Sequence, residues 1–284
     1  NQCINKLKEK NIFNDLYLAE LEYEADIQKT VGEKLGTCIF AYPLFLQHYI
    51  NLFWECGSPV GVARGSGAAG LNHYLLGITQ LDPLKEGFKY WRFLNKERLE
   101  LPDIDIDPAP DKKQAVFNKI REERGPLGIV QICTFGTLSS RASIQSACRG
   151  YRSEEYPNGK DIDEAQYLTS LIGSERGFVW SIHDTVYGNP DKNMKPVKSF
   201  VNAVSKYPGL LDIILKLEGC ISHRGIHASG VLFLDKGHEY DNGALMMSPD
   251  GSITTQYDLH DAESCGSVKY DFLYTDVESK IAQC

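Results

Sequence analysis

The segment "LPDIDID", Leu101 to Asp107, alternates Asp103, Asp105 and Asp107 with Ile104 and Ile106. In an extended chain, residues two apart share a face. The segment predicts a β-strand with its isoleucines in a core and its aspartates in a row, roughly 6–7 Å between neighbours. A half-exposed strand, apolar inside and acidic outside, explains such alternation without any function. Three aspartates are still an unusual choice, because aspartate is depleted in strands and like charges so close repel. A divalent cation removes the repulsion. Mg²⁺ takes oxygen ligands, usually one or two carboxylates with waters and phosphates. Two such ions about 4 Å apart can serve a phosphoryl displacement.

Three flanking features bear on that reading. "GVARGSGAAG" puts Arg64, Gly65 and Ser66 before an expected helix with Ser66 as N-cap and Gly77 as stop. Glycine backbone and a helix N-terminus suit a phosphate, although a plain turn explains the same letters. Arg92 and Arg98 lie just upstream of the aspartates, and arginine suits bidentate phosphate contacts; solvated surface charge explains them equally. Lys269 and Asp271 in "SVKYDFLY" share a strand face, as an ordinary surface pair does. His223 and His227 are four apart but interrupted by glycine, which argues against a helical metal pair. His227 reads as structural or substrate-positioning, and no Ser–His–Asp set is supported by spacing.

Residues 1–60 read as mostly helical, with Leu16, Leu18, Leu21, Tyr23 and Ile27 near a 3.6-residue stripe and a second helix from Pro43 to about Cys56. A helix follows Pro110 and Asp111 and ends near Gly125. "GIVQICTFGT", "ASGVLFL", "SITTQYDL" and "SVKYDFLY" read as strands. Between them, residues 138–218 are polar with short helical patches such as "GLLDIILKLEG". Strand-rich segments on both sides of a helical one imply an α+β domain with an insertion.

The chain has 284 residues and a net charge of −8, which argues against a protein coated in positive charge to grip nucleic acid. It leaves room for a local basic channel: Arg64 to Arg98 holds six basic residues against three acids. The eight cysteines show no Cys-x-x-Cys spacing, so buried reduced thiols in a cytoplasmic protein are expected rather than zinc or disulfides. No apolar run reaches membrane-spanning length. The opening Asn1, with no signal peptide, suggests an excerpt from a longer chain.

Taken in order, the motifs are Arg-Gly-Ser-Gly, Arg-Phe-Leu-Asn-x-Glu-Arg, Pro-Asp-x-Asp-x-Asp, Gln-Ile-x-Thr-Phe-Gly-Thr, Gly-x-His-Ala-x-Gly-Val, Thr-Gln-Tyr-Asp and Val-Lys-Tyr-Asp-Phe-Leu. From about residue 15 onward this set resembles the catalytic core of C-family bacterial replicative DNA polymerases, the α subunit of DNA polymerase III. The resemblance implies a polymerase-β-like nucleotidyltransferase palm with a mostly helical thumb inserted. The palm would occupy 1–134 and 219–284, and the thumb 135–218. It implies Asp103, Asp105 and Asp271 as catalytic metal ligands for two Mg²⁺ ions, with Mn²⁺ as a substitute. Arg64, Gly65, Ser66, Arg92, Arg98 and Lys269 would bind nucleotide, and Arg141, Arg149 and Arg152 would touch duplex DNA.

The implied partners are primer–template DNA, dNTP and, through regions absent from this sequence, other replisome subunits; no membrane is implied. The sequence departs from the family pattern at Ala63, usually Gly, at "DIDPAP", which lacks the usual aromatic, at Arg141, usually Lys, and at "FLYTD". These departures suggest a divergent member, phage-borne or accessory. The family's PHP domain, fingers and C-terminal parts have no counterpart here, so a palm–thumb fragment with little activity of its own is expected. Two alternatives stay open: an inert palm used for binding or assembly, and a template-independent nucleotidyltransferase.

Overall fold

In the computed structural model, which describes residues 1–97, 103–154, 157, 162–241 and 243–284, the chain divides into two compact units. One comprises Asn1–Cys133 with Ile226–Cys284, the other Thr134–Gly225. Helices α1 (Gln2–Glu9), α2 (Asp15–Leu35), α3 (Ala41–Glu55), α4 (Leu71–Leu76) and α5 (Lys113–Arg124) lead into strand β1 (Ile129–Thr137). Then follow α6 (Ser140–Gly150), α7 (Ile162–Ser170), a hairpin of β2 (Ser174–Glu175) and β3 (Phe178–Val179), α8 (Ile182–Tyr187), α9 (Lys198–Val204) and α10 (Leu210–Leu217). The chain ends with β4 (Ile221–Phe233), β5 (Leu245–Met247), β6 (Ile253–Thr255), α11 (Leu259–Ser264), β7 (Lys269–Asp271) and α12 (Asp276–Ile281). The fold is mixed α+β. Its larger sheet has the order β5-β6-β1-β4-β7, with β1 parallel to β6 and both β4–β7 and β5–β6 antiparallel. Among the described residues no helix is long and apolar enough to cross a membrane.

The core of the larger unit packs Leu46, Tyr49 and Phe53 of α3 and Val116, Phe117 and Ile120 of α5 against Val231, Tyr270 and Phe272. Ile104 and Ile106 drop into this core, 1% and 2% exposed. The alternation of "DIDID" therefore survives, but the expected strand does not. Ile106 makes a single parallel bridge to Phe272 and Pro108 a single antiparallel bridge to Val60. The segment hugs the end of β7 through Ile106 N to Asp271 O at 3.1 Å and Leu273 N to Ile106 O at 2.7 Å. Its other edge is taken up by the loop at Gly61, whose N–H donates to Asp107 O at 3.2 Å. With one-residue partners on each side, no ladder forms among the described residues, and Leu101 and Pro102 lie outside them.

Two more expectations change. Leu16 and Tyr23 of α2 are 64% and 45% exposed. The buried face of α2 instead carries Tyr17, Glu24, Ile27, Gln28 and Val31. Ser66 begins a short 3₁₀ turn, Ser66–Ala69, and caps nothing with its side chain; Gly77 does end α4 in the left-handed conformation. The missing cap of α4 comes from α2: Glu24 accepts from Leu71 N at 2.5 Å and Asn72 N at 2.9 Å. Carboxyl oxygens at a helix N-terminus satisfy its free N–H groups. Cys38, Cys220, Cys265 and Cys284 are exposed rather than buried, because they fall in connections and at helix ends.

Glu24 yields a pH prediction. Burial pushes its carboxyl up to about 8, against the pull of its two N–H donors. The folded chain then holds the proton more tightly than the unfolded one. The stabilisation is complete below pH about 4.5 and is lost as pH rises through about 8. Between pH 5 and 8 the wild type should lose on the order of 3 kcal/mol relative to Glu24→Gln, which does not titrate. Urea midpoints across this range give the comparison, and parallel pH dependences would contradict the prediction.

The smaller unit buries Ile144, Leu168, Ile182, Phe200 and Leu210 around one centre. Glu218 ties its ends, accepting from Ser140 Oγ at 2.7 Å and from Ile182 N at 3.0 Å at the start of α8. Arg141, Gln145 and Arg149, spaced four apart on α6, are exposed along one face.

Candidate active site

Each acid owes its position to a neighbour in the core. Ile104 and Ile106 anchor Asp103 and Asp105, and the N–H of Ile104 donates to Tyr42 Oη at 3.3 Å. The Tyr42 ring stacks on Tyr270, centroids 5.0 Å apart. Tyr270 lies between Lys269 and Asp271, so one aromatic pair registers both acid-bearing segments. Asp271 is buried at the end of β7, and Ser229 Oγ on β4 donates to its Oδ1 at 3.1 Å.

The result is a cluster in which Asp103, Asp105 and Asp271 each offer an oxygen, all within 4.8 Å of one another. At that spacing one carboxylate pair repels by about 3–4 kcal/mol in a half-buried setting. A buried isoleucine contributes about 1.5–3 kcal/mol, so the core can hold the acids together without relieving them. Burial pushes the Asp103 carboxyl up, with Asp271 and Asp105 adding to the rise and Lys269 opposing it. Asp105 is raised by burial and by Asp271, against Arg64 and Lys269. Lys269 Nζ is the partial remedy, 2.5 Å from Asp271 Oδ2 and 3.5 Å from Asp103 Oδ2. Burial lowers its own pKa, but bonding to Asp271 and the charge of Asp103 outweigh this, and the net shift is upward. Lys269 bonds two of the three carboxylates and Arg64 opposes the rise at the third; the donor set suits a hard cation with oxygen ligands.

The glycine loop runs beside the acids. Gly65 has φ 56° and ψ −152°, a region essentially reserved for glycine. A Cβ at Gly65 would lie 3.0 Å from Asp105 Oδ2, one at Gly67 3.2 Å from Ile104 Cγ2, and one at Gly61 2.2 Å from Asp107 Oδ1. His73, fully buried and with its pKa lowered by burial to about 4, holds Gly67 O through Nδ1 at 2.7 Å. Arg64 is exposed at the mouth, its Nη1 4.0 Å from Asp107 Oδ2.

Of the residues singled out in the sequence, Asp103, Asp105, Asp271, Lys269, Gly65 and Arg64 thus occupy one neighbourhood. Ser66 is exposed next to Gly65. Arg92 is exposed on the 3₁₀ turn Tyr90–Arg92 and, among the described residues, makes no hydrogen bond or ion pair to the acids. Arg98 lies outside the described residues. In the smaller unit, Arg149 Nη2 donates to Ser146 Oγ at 3.4 Å. Arg152 Nη1 donates to the carbonyls of Arg149 at 2.8 Å and Tyr151 at 3.0 Å, so it serves the end of α6. Sequence reasoning missed Ser229, Tyr42 and Gly61. The register pairing Gly230 with Asp271 brings Ser229 to the third acid, and no local motif encodes it.

The model of the bacterial DNA polymerase III alpha NTPase domain matches residues 2–274. Probable DNA polymerase YorL of Bacillus subtilis (strain 168) is 39% identical over 255 residues, covering 88% of this chain and 19% of that protein. The DNA polymerase III subunit alpha of Thermus aquaticus is 33% identical over 251 residues, 88% of this chain and 19% of that protein. That of Aquifex aeolicus (strain VF5) is 30% identical over 274 residues, 90% of this chain and 22% of that protein. The chain spans about a fifth of the length of these relatives.

Proposed function

The chain belongs to the bacterial DNA polymerase III alpha family, and from that premise we propose that it forms the palm and thumb of a template-directed DNA polymerase, moving a nucleotidyl group from a dNTP to a primer 3′-hydroxyl. The observation that carries this reading is the gathering of Asp103, Asp105 and Asp271 within 4.8 Å beside a glycine loop. We assign residues 1–134 and 219–284 to a polymerase-β-like palm and 135–218 to the thumb.

In this reading Asp103, Asp105 and Asp271 hold Mg²⁺, with Mn²⁺ as a substitute. When bound, the metal supplies Lewis-acid chemistry, lowering the pKa of the primer hydroxyl and drawing charge from phosphoryl oxygens. The rest falls to the chain itself. Ser229 fixes Asp271 through Oδ1, and Oδ2 is bonded to Lys269 Nζ. Gly65 lets the loop backbone approach a triphosphate without a side chain in the way. Arg64 adds charge at the mouth and Lys269 supplies a second cation, while Arg92 and Arg98 complete the nucleotide contacts. Holding the reactants in line is where most of the rate gain arises in phosphoryl transfer. Arg141 and Arg149 offer exposed guanidinium groups to duplex phosphates, and Arg152 a partly committed one; such contacts are salt-dependent.

A fluorescent dATP analogue titrated into the 284-residue chain tests the reading. Saturable binding should appear with Mg²⁺ and fall at least tenfold when EDTA removes it, as expected when a metal bridges protein and phosphates. Binding that persists undiminished in EDTA would sink the role given to the acids.

A further inference from the structure

Asp107 continues the row of aspartates but stands apart from the cluster. The group whose oxygens lie within 4.8 Å of one another contains Asp103, Asp105 and Asp271, not Asp107. Its carboxylate is turned to the glycine loop instead. All three outer atoms of the side chain lie within 2.5 Å of where a Cβ at Gly61 would be, so the carboxylate rests directly on that glycine. The backbone reinforces the contact, with Gly61 N donating to Asp107 O at 3.2 Å and Val60 bridged to Pro108. The Asp107 side chain is 19% exposed and faces Arg64 Nη1 at 4.0 Å. Among the described residues Arg64, whose side chain is 40% exposed, makes no other ion pair, although its charge also acts on Asp105.

We propose that Asp107 is a positioning residue for the triphosphate: it seats the loop at Gly61 and aims the Arg64 guanidinium across the mouth, without touching the metal. The inference rests on the functional reading above and extends it by separating the third aspartate from the two before it. It also accounts for glycine at position 61. That residue has no positive φ to demand glycine, so the demand is for space under the carboxylate.

The experiment uses the 284-residue chain, Mn²⁺ measured by electron paramagnetic resonance, and inorganic triphosphate as probe in saturating Mn²⁺. Asp107→Asn should leave the Mn²⁺ Kd within about twofold, and should weaken triphosphate about tenfold, as expected for loss of a charge partner that orients a phosphate-binding arginine. Arg64→Gln should weaken triphosphate by a similar factor. The double variant should be no more than about twofold worse than Arg64→Gln, the non-additivity of residues acting through one another. Gly61→Ala approaches the same contact from the other side, displacing the carboxylate, and should reproduce the Asp107→Asn profile at an unchanged melting temperature.

Loss of Mn²⁺ binding in Asp107→Asn would make it a metal ligand and overturn the inference. Effects of Asp107→Asn and Arg64→Gln that multiply would overturn it equally. A wild-type chain that binds Mn²⁺ and triphosphate while all these variants match it removes the inference and leaves the functional reading standing. A wild type that binds neither removes both.

Discussion

Asp105→Ala removes divalent-cation binding, lowering Mn²⁺ affinity at least a hundredfold. The expectation follows from its position. Asp105 faces Asp271 within the cluster and lies against Gly65, so its loss opens the site at the point where metal and triphosphate would meet. Breaking one of three charged ligands in a partly desolvated site is worth several kcal/mol, and each 1.4 kcal/mol is tenfold. The same substitution should not destabilise the metal-free fold, and a gain of about 1 kcal/mol is expected, because it removes a repelled carboxylate that burial and Asp271 already hold up in pKa. Opposite signs in metal affinity and stability separate a lost ligand from a lost fold. Mn²⁺ binding within threefold of wild type would refute the assignment.

Lys269→Met reverses the usual expectation for a cationic residue in a nucleotide site: Mn²⁺ should bind about tenfold more tightly. Nζ bonds Asp271 Oδ2 at 2.5 Å and reaches Asp103 Oδ2 at 3.5 Å, so ammonium and metal compete for the same oxygens. Its side chain is 16% exposed, and removing it deprives Asp271 and Asp103 of the ammonium that bonds them. The metal-free variant should therefore be destabilised by about 1–3 kcal/mol, and saturating Mn²⁺ should restore most of the loss by mass action. Triphosphate affinity should fall even as metal affinity rises, since the same ammonium is assigned to phosphate. A weaker Mn²⁺ affinity in Lys269→Met would show that the lysine supports the metal rather than displacing it.

What could be read from the sequence, and what could not, follows the reach of each interaction. The breaks at Gly77 and Gly125, the helix after Pro110 and the strands at residues 129–137 and 269–271 are local signals, and they appear in the structure. The gathering of Asp103, Asp105 and Asp271 depends on long-range packing, and only the ordered motif set pointed to it. The stripe on α2 was misread because hydrophobicity counts Leu16 and Tyr23 as inward and Glu24 as outward. Glu24 turns in because α4 has no cap of its own, a fact written some fifty residues away. The expected strand at Asp103–Asp107 has the right alternation but only single bridges, because its neighbours are a loop on one side and the last residues of β7 on the other. Ser229 carries no composition signal, and Gly61, though part of the glycine-rich stretch, is singled out only by close packing.

The order in which the cluster's parts occur along the chain has a consequence for synthesis. Asp103, Asp105 and the glycine loop precede the smaller unit, and Asp271 follows it. At ribosomal speeds roughly ten to thirty seconds separate the emergence of the first pair from that of the third acid. During that interval the nascent chain holds two carboxylates and a loop but no closed cluster. Lys269 and Asp271 then arrive on the same short strand. The last acid reaches the cluster with a counter-charge two residues away, so the completed cluster is neutralised in part as it forms.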